Sequence, residues 1–292
     1  MHLIVIVVAL LLERTLGQLS RLRQIDAFAA YVRLIERSRL GRAWLARPFG
    51  VAVILPPLAV FGVLQWMIDT HLWLGAQLVF GLIGLLISLG PRDLWEDVYA
   101  LAHARSEQAH DEVEARAVAL CRRASGRRAR DIDPPTIVGA VLVQGHERVL
   151  AVLLWFFVAG PTGALFYRLV RELPALAVRD PATRQTARVA EYVHGLAAWI
   201  PARIVALVYV IAGQSGQALA GWRTARASTH VSGIASWRLL AAVGRGALGV
   251  DSGLTDQQCF DDTLLGALSL ISRSVLILLA GFALLTLAGI FR

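Results

Sequence analysis

The chain has 292 residues, 57% of them hydrophobic and 17% charged, with a formal charge of +8 and a mean hydropathy of +0.60. All 29 basic residues are Arg, and Lys and Asn are absent. That excludes a P-loop, which needs its Lys, Schiff-base chemistry on a Lys amine, and a kinase site built on Lys and Asn.

The Arg residues lie between long apolar runs, where helix orientation and anionic lipid headgroups account for them better than nucleic acid does. The partners implied are therefore membrane lipids, with no nucleic acid. Cys121 and Cys259 are far apart and form no CxxC, so they read as reduced thiols; no cofactor is implied.

In chain order, Leu3–Leu12 is short and apolar, with no basic residue before it and Glu13-Arg14 where a cleavage site would stand. It reads as a retained first membrane helix. Residues 13–48 carry an excess of Arg, which marks them cytoplasmic. Within them Leu22, Ile25, Phe28, Ala29, Val32 and Ile35 share one helical face opposite Arg23, Asp26, Arg33 and Arg37. That is an amphipathic helix for the headgroup plane.

Phe49–Ile68 and Leu72–Gly90 follow, each near the roughly 20 apolar residues that a crossing needs. They predict a hairpin with Asp69-Thr70-His71 as its outer tip. Pro56-Pro57 predicts a kink in the first helix, and Gly75, Gly81 and Gly84 predict close approach to the second. Residues 91–148 read as a cytoplasmic helical excursion, acidic at its start (Asp93, Glu96, Asp97) and basic near Arg122–Arg130.

The apolar segments 149–166 and 193–212 are interrupted, the first by Gly160-Pro161-Thr162-Gly163 and the second by Pro201 and Arg203. Five Arg in the connection strain the charge rule if both segments cross. Either they are broken or re-entrant helices lining a polar cavity, or they are ordinary spans with an imperfect charge bias. Residues 213–262 read as a peripheral amphipathic segment with Trp222 and Trp237 at the interface, and 274–291 is the last span. The expected fold is all-α: one polytopic membrane bundle over 1–292, with broken or re-entrant helices and cytoplasmic amphipathic ones.

Three constellations could carry chemistry. On one polar helix Glu96, His103, Glu107, His110 and Glu114 form a stripe, and His103, Glu107 and His110 have spacing for one metal ion. The same stripe is where an amphipathic helix puts solvated residues. His146-Glu147-Arg148 lies just before an apolar segment, either as an interfacial cluster or facing a polar cavity shared with Tyr167, Arg168 and Arg203. Arg203 is costly at membrane depth unless it snorkels, pairs with Glu13, Glu147 or Glu191, or holds an anionic ligand.

Glu13-Arg14 after a short apolar start, LLWFFVAGPTGALFYRLVREL at 153–173 and WIPARIVALVYVIAG at 199–213 resemble the AmpE family of bacterial inner-membrane proteins, over most of the chain. That family in turn resembles the CobD/CbiB family, which joins an aminopropanol phosphate to a corrinoid carboxylate. Two polar stretches of the cobalamin family are replaced here, by Val143–Arg148 and by Leu169–Leu173.

The AmpE resemblance implies a regulatory or sensory protein of the bacterial inner membrane, linked to β-lactamase induction and to peptidoglycan-recycling proteins. It would bind an anionic envelope metabolite among Glu13, Arg14, Glu147, Arg148, Tyr167, Arg168 and Arg203. The alternatives are a CobD-like enzyme forming or breaking an amide, and a transporter of peptidoglycan fragments.

Overall fold

Among the described residues, five helical stretches are long and apolar enough to cross a membrane: Pro48–His71, Leu74–Ser106, Pro134–Leu176, Arg184–Ala212 and Phe260–Leu287. They come from a computed structural model that describes residues 2–15, 27–89, 94–124, 133–177, 183–225, 233–250 and 257–289. No strand occurs among the described residues. The protein is an all-α, multi-pass membrane protein. Its contacts fall into two units: residues 1–91, 152–197 and 288–292 form one, and residues 92–151 and 198–287 the other.

The first unit begins with α1 (His2–Thr15), α2 (Ala27–Arg37) and α3 (Arg39–Leu45), then a 3₁₀ turn at Pro48–Ile54. On α2 Ala29 and Val32 are buried while Arg33 and Arg37 are exposed, as the amphipathic pattern requires. The start of that pattern, Leu22 to Asp26, lies outside the described residues.

The hairpin is α4 (Leu55–His71) and α5 (Leu74–Leu89). Its tip is Leu72-Trp73, because Asp69–His71 continue as the last turn of α4. There Gln77 Nε2 donates to the carbonyls of Asp69 and Leu72 at 3.1 and 3.2 Å, capping groups that the helix end leaves bare. Pro56-Pro57 do not kink α4. They occupy its first turn, where a missing N–H costs nothing. No residue of α4 is buried, and Val60, Val63 and Met67 are exposed, which suits a helix whose solvent is lipid.

Glycine approach is seen at Gly81, where an added Cβ would stand 3.3 Å from Val5, and at Gly84, where it would stand 2.8 Å from Pro161. Gly75 instead faces the indole of Trp73 in its own hairpin.

α9 (Ala151–Ala177) breaks at Ala159 and at Gly160, whose φ/ψ of 64°/−156° belongs essentially to glycine alone. Phe157 O would be paired by the N–H of residue 161, but that residue is proline. His2 Nδ1 sits 3.1 Å from the freed oxygen. Beyond the break Gln65 Oε1 of α4 accepts from Thr162 N at 3.0 Å and from Thr162 Oγ1 at 2.5 Å. The broken helix read from the Gly-Pro-Thr-Gly motif is thus present, with its loose backbone groups satisfied by neighbours.

α10 (Arg184–Ala212) behaves differently and stays helical through Pro201. At its start Thr186 Oγ1 donates to the carbonyls of Leu45 and Arg47 at 2.6 and 2.7 Å, tying it to the end of α3.

The second unit is centred on α8 (Pro134–Gly145), which packs against α6 (Leu94–Ser106), α7 (His110–Ala124), α12 (Gly233–Leu248) and α13 (Gln257–Leu287). Asp133 caps α8 by accepting from Thr136 N at 3.1 Å. All nine residues from Ile137 to Gly145 are buried, although they fall in the stretch read as an excursion.

α11 (Ser215–Ala225) and α12 form a hairpin whose backbones touch through glycine. Gly221 lies on the Ala242 carbonyl and Gly246 on the Gln217 carbonyl, so a side chain at either would strike backbone. Arg105 of α6 pairs with Asp261 of α13 at 2.9 Å and lies 4.3 Å over the Phe260 ring, fastening the two helices.

Candidate functional site

Between α8 and α9 the chain widens into a π turn over His146–Leu150. His146 N still donates toward Leu142 O and Val143 O, whereas Ala151 N reaches back to His146 O. Such a change of hydrogen-bond register marks functional segments often enough to direct attention here. The hydroxyl of buried Tyr209 donates to Leu142 O at 3.1 Å, satisfying a carbonyl at this join. Gly145 lets α13 approach, since an added Cβ would meet the Ile271 side chain.

The turn gathers four polar side chains at low exposure: Gln144 at 2%, His146 at 0%, Glu147 at 6%, and Arg148 with 12% of its side chain exposed. Three of them are held by partners on other elements. Arg148 Nη1 donates to Asp97 Oδ2 of α6 at 2.8 Å, and its Nε donates to Gln144 Oε1 at 3.1 Å. Gln144 Nε2 in turn donates to the Leu120 carbonyl of α7 at 3.2 Å. Trp237 Nε1 of α12 donates to Glu147 Oε1 at 2.7 Å.

A guanidinium and a carboxylate are thereby fixed on consecutive residues, directly after the buried imidazole of His146. Fixed groups of this kind can hold an anion, accept a proton and donate one without reorganising. His146-Glu147-Arg148 was legible as a cluster in the sequence. Asp97, Gln144 and Trp237 were missed as its partners.

The other sequence candidates make these contacts within their own units. Tyr167 is fully buried in the first unit, its ring centroid 5.8 Å from that of His194. Arg168 donates to the Ile87 carbonyl near the end of α5, where cations suit the helix terminus. Arg203, in the second unit, stacks 3.7 Å over the Trp199 ring and donates to the Trp199 carbonyl at 3.0 Å. Both contacts lie within α10, and among the described residues no carboxylate pairs with Arg203. Glu13 and Arg14 fall at the end of α1, and their side chains lie outside the described residues.

The metal candidate does not assemble. His103 Nε2 lies 3.3 Å from Glu107 Oε1, but both side chains are exposed. The helix ends at Ser106, Gln108 turns with φ of 55°, and His110 opens α7. The stripe read along one helix is therefore split between two, and the spacing that would bring His110 to the other two does not hold. Among the described residues no three His, Cys, Asp or Glu side chains could share a metal ion.

Cys121 of α7 is buried, and burial, helped by the Asp133 charge, pushes its thiol up to about 11. Thiolate is the reactive form, so maleimide at pH 8 should label Cys121 about a hundredfold more slowly than an exposed thiol. Because the folded-state value is raised, the thiol favours the folded state at lower pH, and this contribution is lost as pH climbs past 9 towards 11. Labelling rates with Cys121 as the single cysteine measure the first effect and denaturant unfolding across that window the second; fast labelling at pH 8 would contradict the raised thiol.

A family model described as CobD/Cbib protein matches residues 6–255 of this chain. A relative from Stutzerimonas stutzeri (strain A1501), "Cobalamin biosynthesis protein CobD", is 32% identical over 255 residues, covering 84% of this chain and 80% of its own length. A protein of the same name from Chromobacterium violaceum is 31% identical over 266 residues, with the same coverage on both sides. No solved structure matches the chain.

Proposed function

The chain belongs to the CobD/CbiB family, and from that premise we propose that it is a membrane enzyme of corrinoid assembly that joins a carboxylate and an amine into an amide. The observation that carries this reading is the π turn: a braced carboxylate and guanidinium beside a buried imidazole, within the span that the family model matches.

Amide formation needs the acyl carbon to lose an oxygen and the amine to lose a proton. A nucleoside triphosphate would supply the activation, the oxygen leaving as phosphate. Glu147, aimed by the Trp237 indole, would accept the amine proton, and Arg148 would hold the carboxylate or its phosphorylated form. We place the π turn on the cytoplasmic side of the inner membrane, because the Arg-rich segments flank that side.

The AmpE-type reading is the second proposal: sensing of an anionic envelope metabolite, with peptidoglycan-recycling partners and a link to β-lactamase induction. One observation favours it, the replacement of two polar stretches of the cobalamin family by residues 143–148 and 169–173.

Expression in a bacterium lacking its own family member, fed a corrinoid without the amide, separates the two. The expected result is amide product from the wild-type chain, with Glu147→Ala and Arg148→Ala each lowering it on the order of a hundredfold. Absence of product from a chain that reaches the membrane in normal amount overturns the enzyme reading. A changed β-lactamase induction in the same cells would then favour the regulatory one.

A further inference from the structure

Two of the spans begin side by side in the first unit: Pro48–His71, directly after α3, and Arg184–Ala212, which is α10. Thr186 joins them. Its hydroxyl bonds to the carbonyls of Leu45 and Arg47, just ahead of the first span, and Gly50 leaves it room, since an added Cβ there would strike Thr186 Oγ1. Arg184 and Arg188 flank Thr186 and are exposed, as are Arg39, Arg42 and Arg47 at the other end of the tie. Among the described residues none of these five pairs with a carboxylate. The sequence leaves little to neutralise them. Residues 27–48 and 184–191 hold seven Arg against Glu36 and Glu191, and residues 16–26 and 178–183, which adjoin them in sequence, add three Arg and two Asp.

Apolar side chains stand among these charges. Leu40 is 85% exposed, Leu34 is exposed too, and the Arg47 guanidinium lies 5.8 Å from the centroid of the exposed Phe49 ring. The elbow that projects Leu40 is fixed: Ser38 Oγ accepts from Gly41 N at 2.9 Å and donates to Ile35 O at 3.1 Å.

We propose that this collar of α2, α3 and the start of α10 is a docking surface for anionic phospholipid headgroups. Depth decides the occupant. Arg47 immediately precedes one span, and Arg184 and Arg188 lie in the first two turns of another, which sets their guanidinium groups at the headgroups and not in open solution. Leu and Phe exposed at that depth enter the acyl boundary, while the Arg heads reach the phosphates. The Thr186 tie also relieves the charge rule. It brings Arg184 and Arg188, which strained that rule in the sequence, beside the Arg-rich residues 39–47.

The test uses purified full-length protein in nanodiscs of equal phosphatidylcholine and phosphatidylglycerol, with native mass spectrometry counting the lipids that stay bound. The variants are Arg39→Gln/Arg42→Gln/Arg47→Gln, the same three positions changed to Lys, and Arg184→Gln/Arg188→Gln. Arg223→Gln/Arg238→Gln removes two exposed charges from the second unit as a control. In parallel, Arg47→Cys and Arg188→Cys, in a chain lacking Cys121 and Cys259, are labelled in spheroplasts with an impermeant maleimide.

The expected result is preferential retention of phosphatidylglycerol by the wild type, lowered about tenfold in each collar Gln variant and kept in the Lys variant and the control. The two introduced cysteines should be labelled from the same side. The proposal is overturned if phosphatidylglycerol is retained no better than phosphatidylcholine, if the control or the Lys variant loses it as fully as the collar Gln variants, or if inorganic phosphate displaces it. Labelling of the two cysteines from opposite sides also overturns it. Lipid retention is read without turnover, so its failure leaves the amide-forming reading standing, and failure of that reading leaves the collar intact.

Discussion

Gly160→Ala should lower the unfolding free energy by about 2–4 kcal/mol. Two costs combine. The φ of 64° with ψ of −156° is a conformation that side chains other than hydrogen rarely adopt, and the new Cβ would stand 2.7 Å from Gln65 Nε2. Moving Gln65 aside would also loosen its grip on Thr162, which covers the groups bared by the break. Gly281→Ala on α13 is the control, since nothing lies within 4 Å of its added Cβ. Denaturant unfolding in detergent measures both, and a Gly160→Ala protein within about 0.5 kcal/mol of wild type would contradict the account.

Removing one member of the Arg148–Asp97 pair should cost about 3 kcal/mol, because each leaves the other charged and poorly solvated. Only 12% and 25% of the two side chains are exposed, so water cannot fully replace the lost partner. Arg148→Ala also strips Gln144 Oε1 of a donor, which makes it the costlier single change. The double variant Arg148→Ala/Asp97→Ala should cost less than the sum of the singles, since it strands no charge. Additive losses in the same unfolding assay would show that the two groups do not depend on each other.

How much of this was legible in the sequence depended on range. The spans were, because runs such as 274–291 lack any charge. The break in α9 was legible too, since Gly160-Pro161 combines a residue that permits positive φ with one that withholds an N–H. Proline alone misled: Pro56-Pro57 sit harmlessly at a helix start and Pro201 rides inside a helix. Ser106–Ala109 contains no Gly or Pro, so the turn that divides the His stripe gave no warning.

In the site, His146-Glu147-Arg148 stood out as polar residues before an apolar run. Their partners did not, because Asp97 is 51 residues from Arg148 and Trp237 is 90 from Glu147, and sequence pattern holds no information at that range.

The interleaving of the two units sets an order of assembly during synthesis. Residues 1–91 of the first unit leave the ribosome before residues 152–197, which join them in it. At about 5–20 residues per second the interval taken by the intervening residues 92–151 is roughly 3–12 s. Throughout it Gln65 has no Thr162 to meet, and the glycine face of α5 has no Phe156 or Pro161 to pack against. The newborn hairpin therefore waits in the translocon or in lipid with a polar side chain unsatisfied, and it is in this window that a chaperone or insertase has something to hold.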